Sequence, residues 1–489
     1  MPLTTYDIKA RHKEYAKREK SWRTVRDCVA GEDVIKREKE RYLPFPVALE
    51  DAVRQSSDFV AQYQVYLDGA HYTNYTEEAL EDLVSGCFRK DINIDGVDEL
   101  KQNLAVDDIA RDMVRKVTST GRLFAVADYP QVQATPTKAE EAAKGISATI
   151  IVYEALQVIN WDEIIFNGAK QPHRVVVELS KSTGDLYWVE YLIDADGVYK
   201  IRTHTEKDGT MEYEEVIPQA NGQVLKQLPG SFCGSITNSP DVDRIPLLGI
   251  ATSNIKHYQT FAELIHVQVY SGHPQVVMTG LPKGWLQQLK DEALRAAKTG
   301  SGADPKIVEP KINVGASRTM VVEGDSSDIK LLTLTGENIV HFKTLEQLEK
   351  SMLEQGARIK YFNVKGGVES AATLRTRSTG ESSQLAKIAT NVERALETVL
   401  KYANAFMAVN TDVTVTINKE FYEETPDATL IGTFSTLIAG GNLPRTVLWK
   451  YLRKVGVIDV DTTDEELQAG LDETFVNGFS RNSTTNSSP

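Results

Sequence analysis

The apolar positions change period several times between about Pro246 and Met407, and each change predicts an element. Thr252–Tyr270 has the helical period, and Gly272, His273 and Pro274 end it, because proline lacks a backbone N–H and clashes with the preceding turn. Gln275–Thr279 is a short apolar run of strand type, and Trp285–Lys298 is amphipathic, with Leu286, Leu289 and Ala293 on one face. Thr319–Val322 and Ile329–Leu334 predict two more strands, turned by Glu323-Gly-Asp-Ser. A second helix starts near Glu337. Its apolar positions Ile339, Phe342, Leu345, Leu348, Met352 and Ile359 recur at helical spacing, and Lys343, Glu346, Glu349, Lys350 and Glu354 fill the other face. Asn363-Val-Lys-Gly-Gly-Val368 breaks it. A long helix follows, with Leu385, Ile388, Val392, Leu396, Val399, Ala403 and Phe406 in one stripe.

The pattern therefore has two helices flanking a small αββ unit. At about 1.5 Å per residue, Glu337–Phe362 spans roughly 39 Å. A compact enzyme seldom sends its chain out along one long helix and back along another around so small a unit. A ring subunit does, because neighbouring helix pairs can bury each other's apolar stripes.

Before this stretch, Thr4–Arg41 is dense in charge and reads as a solvated helix or as a peripheral surface touching another subunit or DNA, its first half basic through Lys9, Arg11, Lys13, Lys17, Arg18, Lys20, Arg23 and Arg26. Ala48–Leu67 and Val106–Thr118 predict helices, the latter ending at Gly121, and Thr76 is placed to cap a third. Arg122–Asp128 reads as a buried strand and Pro130–Lys144 as a polar loop. Ala148–Val158, Arg174–Leu179, Leu186–Ile193 and Val198–Thr203 read as strands turned at Thr183-Gly-Asp and Asp196-Gly, with Trp161 in the core. Glu206–Ser239 reads as hairpins and loops. After the long helix come a strand, Val413–Asn418, and three short helices, Leu430–Ile438, Pro444–Leu452 and Asp464–Leu471. Asn477–Pro489 is too polar to fold alone. The fold class is α+β.

Composition narrows the function classes. The 489 residues carry a formal charge of −14, which argues against a protein that grips nucleic acid over its surface but not against one that lets DNA slide past. No apolar run is long enough for a transmembrane helix, and the start lacks the features of a signal peptide. Cys28, Cys87 and Cys233 are too dispersed for a metal site and read as reduced thiols. There is no phosphate-binding Gly-x-x-x-x-Gly-Lys loop, Gly-x-Ser-x-Gly elbow or His-Glu-x-x-His, so no catalytic residue, metal or cofactor is expected. His257 and His266 read as surface or interface histidines. The acidic pairs Asp107-Asp108 and Glu423-Glu424 read as solvated.

Several segments, in order, resemble tailed-bacteriophage portal (head-to-tail connector) proteins, in particular a portal family of short-tailed phages. They are Asn160-Trp-Asp162, Ile245-Pro-Leu-Leu248, Asn254-Ile-Lys-His-Tyr-Gln259, His273–Gly280, Val314-Gly-Ala-Ser-Arg318, Leu348–Ile359, Gly380–Leu385 and Asn418-Lys-Glu-Phe421. Each is weak alone, and their order and spacing carry the likeness over roughly residues 50–470.

The resemblance implies a portal fold: an α/β wing over 1–250, a first stem helix over 251–273 and a small αβ clip over 274–335. A second stem helix follows over 336–362, a tunnel loop over 363–372, a long wing helix and strand over 373–422, and a small helical crown with a disordered tail over 423–489. It implies a homo-oligomeric ring of twelve copies, with Phe342, Leu345, Leu348 and Met352 at the stem interface. The tunnel loop, with Lys360, Asn363, Lys365, Gly366, Gly367, Arg375 and Arg377, would face double-stranded DNA. The implied partners are the major capsid protein, the terminase large subunit and a head-tail adaptor protein. The implied location is the capsid vertex of the virion, reached from the host cytoplasm during assembly, with no membrane. Two other readings stay open: another ring-forming or scaffold protein of virion assembly, and a soluble enzyme with an unfamiliar site.

Overall fold

The computed structural model describes residues 7–45, 57–101, 104–130, 146–166, 168–272, 339–360, 383–421, 428–459 and 462–470, with short pieces between 275 and 332. Nearly all of Trp285–Lys298, the break at Asn363–Val368, the Pro130–Lys144 loop, Glu423-Glu424 and the Asn477–Pro489 tail lie outside these residues, as does the start of the helix expected at Ala48. The chain divides into two compact units, Met1–Lys419 and Glu420–Pro489.

The first unit opens with α1 (Lys13–Ala30) and α2 (Glu32–Arg37). The expectation of a solvated helix is corrected here. The basic residues of α1 face outward, but Tyr15, Trp22, Val25 and Cys28 are fully buried, and the Trp22 indole donates to the carbonyl of Thr120 at 2.9 Å. Charge density along the sequence hid a narrow apolar stripe. α3 (Ser57–Gly69) and α4 (Tyr75–Cys87) follow. The cap of α4 is Asn74, whose side chain accepts from Glu77 N, and not Thr76, which is buried and committed to Asn254. After β1 (Asn93–Asp95) and the short α5 (Asp98–Lys101), α6 (Val106–Thr120) ends at Gly121 as expected. Gly121 has φ +79°, and a Cβ there would meet the Arg244 carbonyl oxygen at 2.4 Å, so only glycine fits.

β2 (Arg122–Asp128) is the centre of a three-stranded antiparallel sheet, between β3 (Thr149–Glu154) and β11 (Gly230–Gly234). A five-stranded antiparallel meander runs through β4 (Val158–Phe166), β5 (Ala169–Ser180), β6 (Leu186–Ile193), β7 (Tyr199–Lys207) and β8 (Thr210–Val216). The single strand expected over Ala148–Val158 is two, because the Gln157 side chain and backbone both bond Glu154 and fold a turn there. β9 (Gln219–Ala220) and β10 (Gln223–Val224) form a small hairpin.

α7 (Leu248–Gly272) leads to β12 (Gln275–Leu281). Beyond the pair β13 (Asn313–Val314) and β14 (Ser317–Arg318) come β15 (Met320–Glu323), β16 (Asp328–Leu332) and α8 (Ile339–Lys360). The turn read at Glu323-Gly-Asp-Ser does not make a simple hairpin. β12 lies between β15 and β16, parallel to the first and antiparallel to the second. Local turn chemistry could not show that a strand 40 residues earlier separates the two.

α9 (Gln384–Phe406) is the core helix of the unit, and every residue of its expected stripe is buried. It packs on β2 and β11, and polar side chains fasten it: Asn391 donates to Gly234 O at 2.8 Å, and Glu393 and Glu397 accept from Ile417 N and Val415 N. Those amides flank and enter β17 (Thr414–Thr416), which pairs with β1. The second unit contains α10 (Ala428–Ala439) and α11 (Arg445–Lys454), packed on each other, with Phe434 against Tyr451, and a helix over 464–470. The mixture of helices and mainly antiparallel sheets makes the chain α+β. Among the described residues, no helix is long and apolar enough to cross a membrane.

Candidate functional site

The candidate site is the α7/α8 pair and the sheet at its end. With 25 and 22 residues, the helices are roughly 37 and 33 Å long. They run antiparallel: Gly249 lies against the Gln355 side chain, and further along His257 bonds Glu349. The end of α7 and the start of α8 are therefore side by side, and β12, β15 and β16 join them there. The opposite end is rooted in the body.

A buried hub makes the root. Asn254 on α7 is fully buried; its Oδ1 accepts from the Tyr72 hydroxyl at 2.9 Å, Thr76 N at 3.1 Å and Thr76 Oγ1 at 2.9 Å, and its Nδ2 donates to Thr73 O at 2.8 Å. One amide thus locks α7 to the start of α4. The Tyr72 hydroxyl also reaches Cys28 O on α1, and burial pushes its ionisation far above the ordinary tyrosine range. Cys28 and Cys87 are buried free thiols, pushed up to about 12 by desolvation, which leaves them unreactive.

A second junction lies one step further out. Glu349 Oε1 on α8 accepts from the Tyr75 hydroxyl at 3.0 Å and from His257 Nε2 at 3.2 Å, and the Tyr75 and His257 rings meet edge to face. Three helices converge on one carboxylate. His257 is buried, not a surface histidine, and burial holds its pKa below the ordinary value while Glu349 opposes that shift. His266 is half-buried, with the rings of Phe45 and Tyr66 edge-on to it, and has the same direction of shift. A single histidine on a mixed helix face carries no sequence signal of such contacts.

The named stem residues sit differently from one another. Leu345 and Met352 are 7% and 3% exposed within the single chain, Leu348 is half-buried, and Phe342 is 49% exposed. Lys360, the last residue of α8, reaches back to Asp82 on α4 at 2.8 Å. Asn363, Lys365, Gly366, Gly367, Arg375 and Arg377 lie outside the described residues.

Sequence reasoning missed one more group, Arg122. Its guanidinium is buried between Trp161 and Phe232, 3.8 and 4.2 Å from their ring centroids, and Nη2 donates to Pro240 O. Desolvation pushes it down to about 9, against the pull of Asp243, so it stays charged at neutral pH. Trp161 is a core tryptophan, as expected. Among the described residues, no group of three or more His, Cys, Asp or Glu side chains could hold a metal ion.

A family described as a domain of unknown function (DUF4055) matches residues 246–407. These bounds enclose α7, the small sheet, α8 and α9, the stretch that the hydrophobic pattern sets apart from the rest of the chain. No curated protein matches the chain.

Proposed function

We propose that the chain is a portal protein, a subunit of a ring at one capsid vertex through which DNA is packaged and ejected. The observation that carries the reading is the α7/α8 pair: two long antiparallel helices, rooted at one end by Asn254 and Glu349 and carrying a small three-stranded sheet at the other. In a ring such pairs stand side by side around an axis, and the sheets gather at one end as a docking surface. The order of the portal-like segments supports the same reading, and the matched domain of unknown function coincides with this stretch.

The action is mechanical. The chain has no phosphate-binding loop, so the driving ATPase is a separate partner, the terminase large subunit, which docks on the clip and is later replaced by a head-tail adaptor protein. The wing faces the major capsid protein. A net charge of −14 keeps the channel wall from adhering to DNA. Lys365, Arg375 and Arg377, repeated around the axis, give rings of cations that touch phosphates regardless of sequence. Epitope tagging in the source virus tests this directly. The tag is expected at one vertex of DNA-filled heads, and heads made without the chain are expected to hold no genome. A tag spread over every vertex, or full heads without the chain, overturns the reading.

A further inference from the structure

Asp7–His12 forms an arm that leads into α1 and touches four consecutive strands of the five-stranded sheet. Lys9 pairs with Glu206 on β7 at 2.8 Å and lies over the Trp188 ring on β6. Arg11 reaches Glu178 on β5 at 3.9 Å. On β4, the Asn160 side chain donates to Ala10 O, and the Ile159 carbonyl accepts from His12 N, both at 2.9 Å. Exposed ion pairs such as Lys9–Glu206 contribute little, so much of the hold falls to the junction at His12.

His12 makes three contacts there. Its Nδ1 accepts from Glu14 N at 3.2 Å and caps α1. Its ring stacks on Trp161, with centroids 4.0 Å apart. Its amide makes the bond to Ile159. An imidazole whose Nδ1 accepts carries its proton on Nε2. A second proton must therefore go onto Nδ1. That turns the acceptor into a donor facing another N–H, and it puts a positive charge at the positive end of an 18-residue helix. The surroundings oppose the charge too. Burial disfavours it, and it is repelled by Lys13 and by the Arg122 guanidinium of β2, which itself lies over the Trp161 ring at 3.8 Å. Glu14 and Asp162 attract it, but Glu14 is already held by Lys17 and Asp162 by Arg174. The balance keeps His12 below the ordinary histidine range.

We infer that His12 is a proton-operated latch. Neutral, it caps α1 and holds the arm across β4–β7. Protonated, it releases the arm together with the first turn of α1. The release stops there, because the Tyr15 hydroxyl and the Trp22 indole fasten the rest of α1 to Leu156 O and Thr120 O. It uncovers the Trp188 ring that Lys9 lies over. The latch does not depend on the ring reading.

Hydrogen exchange of the full chain, read on peptides covering residues 8–18 and corrected for the intrinsic rate, tests this. The released arm takes its proton near the ordinary histidine pKa of about 6.5, so protection is full above that pH, and each pH unit below it adds at most about tenfold to the opening. From about pH 7.5 to about pH 5.5, wild-type protection in these peptides should fall by about threefold to tenfold. His12→Asn keeps a capping side chain and cannot take the proton, so its protection should stay flat over that range. His12→Ala has no cap and should show the lowered protection already at about pH 7.5. His257 and His266 are present in all three proteins, so their share of the pH dependence cancels in the comparison. A flat wild-type profile, a His12→Asn profile as steep as wild type, or full protection in His12→Ala at about pH 7.5 overturns the inference.

Discussion

Leu345→Ala tests whether α8 is held by burial within one chain. Leu345 is 7% exposed, so its side chain has nearly all of its contacts inside the unit. Removing three carbons at about 0.8 kcal/mol each gives about 2.4 kcal/mol of lost transfer free energy, and the cavity left behind raises the cost to about 2.5–4 kcal/mol. Leu353→Ala makes the same chemical change eight residues on, where the side chain is 74% exposed, and should cost less than about 0.5 kcal/mol. Urea unfolding of both variants, followed by tryptophan fluorescence, reads the contrast. At an m-value near 3 kcal/mol per molar, the midpoint of Leu345→Ala should fall by about 1 M and that of Leu353→Ala by less than about 0.2 M. Equal shifts, or a larger shift for Leu353→Ala, would refute the assignment of the two faces.

Other expected outcomes follow from the same contacts. The folded state resists protonating His257, whereas the unfolded chain takes that proton near 6.5; stability is therefore full above that pH and falls as pH drops through it, and His12 and His266 act in the same sense. The melting temperature should decline from pH 7.5 to 5.5, and a His257→Gln profile as steep as wild type would contradict this. Arg122→Met removes a buried cation that lies over two rings, donates to Pro240 O and faces the buried Asp243, and should lower thermal stability, as should Trp161→Ala, by about 3–5 kcal/mol; an unchanged melting temperature for Arg122→Met would contradict its role in the slot. Lys365→Glu should leave ring assembly intact and alter DNA retention with salt, whereas Lys360→Glu should also weaken the α8 root by facing Asp82; identical packaged length and leakage across a salt series would remove the loop from the channel. Deleting Gly280–Asp328 should leave a folded body that fails to dock the terminase, and unimpaired packaging would sink that role for the sheet.

The long helix α9 was legible because it buries a continuous stripe on the strands beneath it, so period and burial coincide from Leu385 to Phe406. Strand order was not, because β12 enters between β15 and β16 by long-range pairing that no local turn encodes. The polar hubs were equally hidden. Asn254 looks like any polar residue of a helix, and only the fold brings Tyr72, Thr73 and Thr76 to it. The same holds for α1, whose lysines mask Tyr15 and Trp22, and for Arg122, whose charge gives no hint of the aromatic slot around it.

The central claim is that the chain builds a ring, and the mass of the assembled protein tests it most directly. Mass photometry of the purified full chain, over a tenfold range of concentration, should show a dominant species near twelve times 54.3 kDa, with a central hole when the same sample is imaged in negative stain. A single peak at 54.3 kDa throughout that range, with no ring in the images, would contradict the account.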